Sequence, residues 1–211
     1  MPYHTIGAFV KPKTNIMKKL VISLLLISNL AFSALSQTVI KPGIGINFTS
    51  LSGDPLSYNS TGRLGWQIGG TLAIGSEFYF EPGIFWMKNN WDLQELTVDQ
   101  TKMKNDISSL RIPVFVGWNI VGDASDDRNF HVFGGPAAMI VTKVNTESTG
   151  LTTESFNKFV WGLNLGAGLS FNKIFIDGGY EWGLSDLYKD DPNGVTSRGF
   201  WLNAGLRLTF L

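Results

Sequence analysis

Bulky apolar residues alternate with small or polar ones along most of the chain. Over residues 64–74 one face holds Leu64, Trp66, Ile68, Gly70, Leu72 and Ile74, and the other Gly65, Gln67, Gly69, Thr71 and Ala73. Residues 110–120 repeat the pattern more sharply, with Leu110, Ile112, Val114, Val116, Trp118 and Ile120 set against Arg111, Pro113, Phe115, Gly117 and Asn119. It returns from Phe159 to Phe171, from Ile174 to Leu184 and from Phe200 to Phe210, with weaker runs at Ile44–Phe48, Phe78–Trp86 and Phe130–Ile140. A period of two marks a strand, because successive side chains leave a strand on opposite faces. These runs predict eight strands. Pro82, Pro113 and Pro136 fall inside three of them, and each removes a ladder donor, so irregular pairing is expected there.

The links sort by length. Those after strands one, three, five and seven are long and polar, at residues 50–61, 90–106, 145–155 and 187–197. Those after strands two and six are tight, at Gly75-Ser76 and Asn172, and residues 122–127 form an intermediate link. Short turns at one end and long loops at the other are the layout of outer-membrane barrels. The predicted fold is therefore all-β: an eight-stranded antiparallel up-and-down transmembrane β-barrel.

The faces differ in chemistry. Leu, Ile, Val, Trp and Phe fill one; Gly, Ala, Ser, Thr and Asn dominate the other, with Glu81, Arg111, Asp177, Glu181 and Arg207 among them by parity. A bore of eight strands has just enough room for side chains to fill. Small residues with a few long charged ones suit that interior, and the bulky face then meets lipid. Aromatic placement agrees. Trp66, Trp86, Trp161, Trp182 and Phe200 fall toward the long-loop ends, and Phe78, Phe80, Trp118, Phe130, Phe171 and Phe210 toward the short turns, as interfacial girdles require. In the bore, Arg111 and Arg207 are expected to pair with Glu81, Asp177 or Glu181, since an unpaired buried charge is costly. Such pairing would plug the barrel. The alternative is a soluble periplasmic lipocalin-like barrel, with the apolar face inward around an apolar ligand.

The N-terminus adds an export signal. Met17-Lys18-Lys19 precedes the apolar run Leu20–Ile27, and Ala34-Leu35-Ser36 supplies small residues at a cleavage site before Gln37, the layout of a secretory signal peptide. Residues 1–16 lack that pattern, which points to Met17 as the true start. Domain organisation is thus residues 1–36 as extension plus signal peptide and 37–211 as the barrel. The chain has 17 basic and 17 acidic residues, and residues 1–36 hold four lysines and no acid. Residues 37–211 are therefore mildly acidic, which gives no footing for a nucleic-acid partner. No apolar stretch after residue 37 is long enough for a spanning helix, so a crossing chain must form a closed barrel.

Three segments carry a family resemblance. Ser109-Leu110-Arg111-Ile112-Pro113-Val114-Phe115-Val116-Gly117 resembles the "Leu-x-Ile-Pro-apolar" strand of the PorT-like outer-membrane β-barrel family. Phe175–Leu184 is similar to its penultimate strand, with Tyr180 followed by Gly183-Leu184, and Gly199–Phe210 resembles its closing strand. Arg111 departs from the motif, where an acidic or neutral residue is expected. The closing segment also resembles the C-terminal signal read by the barrel-assembly machinery, on Asn203, Gly205, Leu208 and Phe210. The resemblance implies an integral outer-membrane barrel of a Gram-negative envelope, with outer-membrane lipid and the assembly machinery as partners. A secretion or other envelope partner is implied by the roles of some relatives.

Little in the chain points to catalysis. There is no Cys, and His131 is the one His after residue 36, placed by parity in the bore near the short-turn end. No Gly-x-Ser-x-Gly elbow, transition-metal spacing or phosphate loop occurs. Asp190–Gly194 and the trio Asp123, Asp126 and Asp127 could hold Ca²⁺ through oxygens, but Asp, Asn, Pro and Gly read better as turns. Neither a cofactor nor a metal nor a catalytic residue is expected. An outer-membrane lipid or peptide hydrolase using His131 is the third reading.

Overall fold

The computed structural model describes residues 38–52, 58–95, 102–123, 126–146, 153–189 and 194–210. The leader expected in residues 1–36 and residues 190–193 of the turn weighed for Ca²⁺ lie outside them. The strands are β1 (Thr38–Ser52), β2 (Tyr58–Gly75), β3 (Phe78–Glu95), β4 (Lys102–Val121), β5 (Arg128–Thr146), β6 (Phe159–Phe171), β7 (Ile174–Gly183), β8 (Thr196–Leu206) and β9 (Leu208–Phe210). Each pairs antiparallel with its sequence neighbour, and β1 closes the sheet by pairing with β2 on one side and with β8 and β9 on the other. β8 and β9 keep one register on β1, from Gly43↔Gly205 to Ile40↔Leu208. The break between them faces Pro42, which has no N–H to give. They form a single stave, and the barrel has eight.

Closure leaves each side chain two destinations. Trp161, Leu165 and Ile176 are 51%, 61% and 50% exposed on the outer wall, while Glu81 and Arg111 are 2% and 1% exposed inside. The girdle residues Trp66, Trp86, Trp182 and Phe200 at one end, and Phe78, Trp118, Phe171 and Phe210 at the other, are exposed as well. An apolar surface that runs around the whole wall far exceeds the few hundred Å² a soluble monomer shows. The soluble alternative needs the opposite polarity, and the structure does not have it.

The strands are longer than their alternation implied. β2 to β5 run 18, 18, 20 and 19 residues, against 13, 10 and 11 for β6 to β8. A crossing strand needs about 9–11. The surplus lies at the long-link end, where residues 90–106 were expected to be loop; the ladder continues through Trp91↔Asn105 and Gln94↔Lys102. Beyond the bilayer no face meets hydrocarbon, so backbone bonds persist while the apolar alternation that reveals a strand is lost. Pro82 falls in a gap of the β2–β3 ladder, Pro113 in one of the β3–β4 ladder and Pro136 in one of the β4–β5 ladder, as their missing donors require, while the β5–β6 ladder runs unbroken through Pro136↔Leu163. The β6–β7 turn is two residues long, and Asn172 takes the left-handed conformation, φ 51°, that Asn tolerates.

Leu165 tests the orientation of the wall. Leu165→Arg is expected to cost about 2–4 kcal/mol near the bilayer midplane, measured by reversible urea unfolding in lipid. A change below about 0.5 kcal/mol, the scale of a wet surface substitution, would place that face in water.

Candidate functional site

Inward parity brings two charged clusters into the bore. Toward the short turns, Lys41 of β1 sits between Asp177 of β7, 2.6 Å from its ammonium, and Glu81 of β3, 3.1 Å away. The other oxygen of Asp177 lies 2.9 Å from His131 Nε2 on β5. Thr71 donates to Glu81, and the Phe175 ring centroid lies 4.8 Å from the Lys41 ammonium. Sequence reading missed Lys41. It alternates with Ile40, Pro42 and Ile44 on the weakest strand, and extending that parity would have found it.

One glycine makes the first cluster possible. His131, Gly168 and Asp177 are cross-strand partners in one row, so β6 separates the imidazole from the carboxylate. A Cβ on Gly168 would overlap both groups. Without that side chain they meet above the β6 backbone.

The second cluster lies nearer the outer mouth. Arg111 Nε and Nη2 donate to Glu181 Oε2 at 2.8 and 2.7 Å, and Nη2 donates to Asn164 Oδ1 at 2.6 Å. Trp201 Nε1 donates to the same Asn164 oxygen at 3.0 Å, and its ring lies 5.3 Å from the guanidinium carbon. Arg207 goes elsewhere. It was expected to pair with Glu81, Asp177 or Glu181, but its Nη1 donates to the backbone carbonyls of Asp126 at 2.7 Å and Asn172 at 3.4 Å. At residue 207 the inward side chain has reached the level of the short turns, where turn carbonyls are nearer than the central carboxylates.

The bore is also more aromatic than expected. Phe115, Phe133 and Trp201 are buried and stacked inside it, with centroids 5.1, 5.8 and 6.3 Å apart, and Tyr79 and Phe85 are buried too. The expectation that large rings would not fit so narrow a bore fails on local complementarity. Phe133, Gly166, Gly179 and Trp201 form one cross-strand row, so two rings lean inward over two glycines. Position by position, ring and glycine share the width.

Above the Arg111 cluster the bore turns apolar. Leu51, Met87, Ile107, Met139, Val141 and Val160 point inward from the staves and pack with Phe156, Leu187, Tyr188 and Val195 from the outer connections. The Phe156 and Tyr188 rings meet tilted, with centroids 4.8 Å apart, and the backbone bonds Leu187 N to Val195 O and Asn157 N to Leu187 O fasten the segments. Among the described residues, three small voids along the bore can be measured. They measure about 20 Å³ beside Lys41 and His131, about 10 Å³ between Glu81 and Arg111, and about 20 Å³ beside Asn89 and Glu181. Each is near the size of one water.

The residues of the terminal signal occupy both sides of the wall. Asn203 is buried in the bore and accepts from Gln67 Nε2 at 2.5 Å. Gly205 packs against the Pro42 carbonyl and Gly43, and Leu208 and Phe210 are exposed on the outer wall.

With this geometry in hand, comparison with known proteins identifies the family. The model of the outer membrane protein beta-barrel domain matches residues 35–189. The chain belongs to that family. Among solved structures it is similar to the outer membrane protein OprG of Pseudomonas aeruginosa, at 13% identity and a TM-score of 0.56, covering 82% of this chain and 95% of that one. It also matches Ail, the attachment invasion locus protein of Yersinia pestis, in complex with a heparin analogue, at 19% identity and a TM-score of 0.47, covering 81% and 99%. Neisserial surface protein A matches at 14% identity and 0.47, covering 82% and 97%. No match is found among curated proteins. At these identities the OprG likeness shows the family's fold alone, an outer-membrane barrel.

Removing one partner of the outer ion pair should be worse than removing both. Arg111→Leu strands Glu181, leaves Asn164 Oδ1 with Trp201 as its donor, and should cost about 3 kcal/mol, at the lower end for a buried pair because Glu181 is partly exposed. Arg111→Leu with Glu181→Leu should recover at least half of that loss in urea unfolding. Equal losses for the single and double variants would show that the pair carries no charge-specific energy.

Proposed function

We propose that this protein is an integral outer-membrane barrel with a plugged polar lumen, acting through its outer surface and a bound partner in a structural or secretion-associated role. The observation that supports this reading is the packing of the described bore: two ion clusters, an aromatic layer and an apolar cap, with voids of about 10–20 Å³ among them. Voids of that size are too small for a hydrated ion or solute. The residue 109–117 segment, with its Ile112-Pro113 step, favours the PorT-like branch of the family, some of whose members serve secretion or gliding machinery. The leader read in residues 1–36 fits export with cleavage between Ser36 and Gln37. Asn203, Gly205, Leu208 and Phe210 form the segment offered to the assembly machinery. Lumen His131 serves the fold and not a hydrolysis, because its ring nitrogens are engaged with Asp177 and Asn129 and no Ser is described at hydrogen-bond distance from it.

Two measurements test the reading. In planar bilayers the refolded barrel should give no stepwise conductance, and affinity purification from native membranes after cross-linking should bring down an envelope protein at a fixed ratio. Stepwise currents or solute-driven liposome swelling would make it a pore.

A further inference from the structure

His131 lies in a chain of hydrogen bonds whose direction is set at one end by backbone carbonyls. The Asn119 side-chain amide donates to the Ser76 carbonyl in the β2–β3 turn, which leaves Asn119 Oδ1 as an acceptor. Asn129 Nδ2 donates to that oxygen at 2.7 Å and lies 3.2 and 3.5 Å from the carbonyls of Asp123 and Gly122 in the β4–β5 turn. Flipping Asn129 would aim its oxygen at three acceptors, and flipping Asn119 as well would aim an oxygen at the Ser76 carbonyl. Carbonyls cannot donate, so neither flip is open. Asn129 Oδ1 therefore faces His131 Nδ1, 2.5 Å away. On the ring's other side Asp177 Oδ1 faces Nε2 at 2.9 Å, while Oδ2 takes the Lys41 ammonium at 2.6 Å. Both ring nitrogens look at acceptors.

We infer that His131 carries a proton on both ring nitrogens, and that this imidazolium is a latch tying the periplasmic turns of the barrel to the carboxylate at its centre. A neutral ring has one donor and one acceptor nitrogen, so it would leave one of the two oxygens unserved in a buried site. The charged and titratable groups around the ring are Asp177 on β7, Lys41 on β1, Glu81 and Tyr79 on β3, and Arg207 beyond β8, the last bonded to the turn carbonyls of Asp126 and Asn172. The competing arrangement places the proton on Asp177, which would then donate to a neutral Nε2. The ammonium on the other Asp177 oxygen opposes it.

The latch spans the periplasmic end. It joins the β2–β3 turn at Ser76 and the β4–β5 turn at Gly122 and Asp123 to β7 and β1 through buried side chains only. Protonation of one residue thereby sets how firmly two turns on separate hairpins are held to the bore. Those turns are the parts a periplasmic partner would touch.

His131 is the sole His from residue 37 onward, so ring ¹⁵N labelling of that chain gives one imidazole spectrum. In micelles at neutral pH both nitrogens should appear in the protonated range, each coupled to its own proton. One unprotonated nitrogen in the folded wild-type barrel overturns the proposal, whether the proton is absent or resides on Asp177. Gly168→Ala places a methyl where Asp177 and His131 meet. In it one ring proton should be lost, and amide exchange at Gly75–Glu77 and Gly122–Asp123 should accelerate about tenfold or more, the loss of one charge-assisted bond. A folded Gly168→Ala barrel with an unchanged imidazolium and unchanged exchange would refute the latch. Should that variant not fold, the wild-type spectrum decides alone.

Discussion

A backbone amide surrounded by hydrocarbon has no water to bond, and each one left unpaired costs several kcal/mol. The closed ladder of β1 on β2 and on β8–β9 answers that constraint, and the rest of the molecule is a consequence of closure. Once the sheet has no edge, a side chain faces either lipid or bore. Apolar residues are stable on the outer wall because lipid is there. Polar and ionic residues are then confined to a narrow interior, where they must find one another. Lys41 with Asp177 and Glu81, and Arg111 with Glu181 and Asn164, are what that confinement produces.

Filling the bore is a problem of widths. Eight staves leave a channel that neither glycines alone nor rings alone could pack to interior density. The chain sets small against large across neighbouring strands. Gly168 yields to the meeting of His131 and Asp177, and Gly166 and Gly179 yield to Phe133 and Trp201. Glycine weakens a strand in isolation. Here the ladder on both sides holds the backbone, and the space each glycine opens is occupied by a charged or aromatic side chain that no substitution at the glycine would admit. The interior is consequently layered: ionic toward the short turns, aromatic at mid-height, ionic again at Arg111 and Glu181, and apolar beneath the long connections.

Much of this is legible in alternation. Parity alone put Glu81, Arg111, Asp177 and Glu181 inside and Trp161, Leu165 and Ile176 outside, because closure converts position number into side. The partners are less legible. Arg207 shares its parity with Arg111, yet height along the bore gave it turn carbonyls, and height depends on stagger between strands, which periodicity does not encode. Lys41 and the inner rings were visible at inward positions but were passed over, since a size argument averaged across the face hides a ring that stands beside a glycine. The outer extension of β2 to β5 was hidden for a different reason. Residues 90–106 lack the period-two alternation that marks a strand, so their pairing leaves no trace in the hydrophobic pattern.

Everything in the bore depends on which wall meets lipid, and a spin-label accessibility scan along β6 in liposomes reads that directly. Single cysteines, introduced into a chain that has none, would carry the label at Leu163, Leu165 and Leu169 and at Val160, Asn164 and Ser170. Oxygen, which concentrates in the bilayer, should broaden the first three strongly and the second three weakly, with a period of two. High oxygen accessibility at Asn164 and Ser170, with Leu165 reached instead by a water-soluble relaxant, would contradict the lipid-facing assignment of that wall.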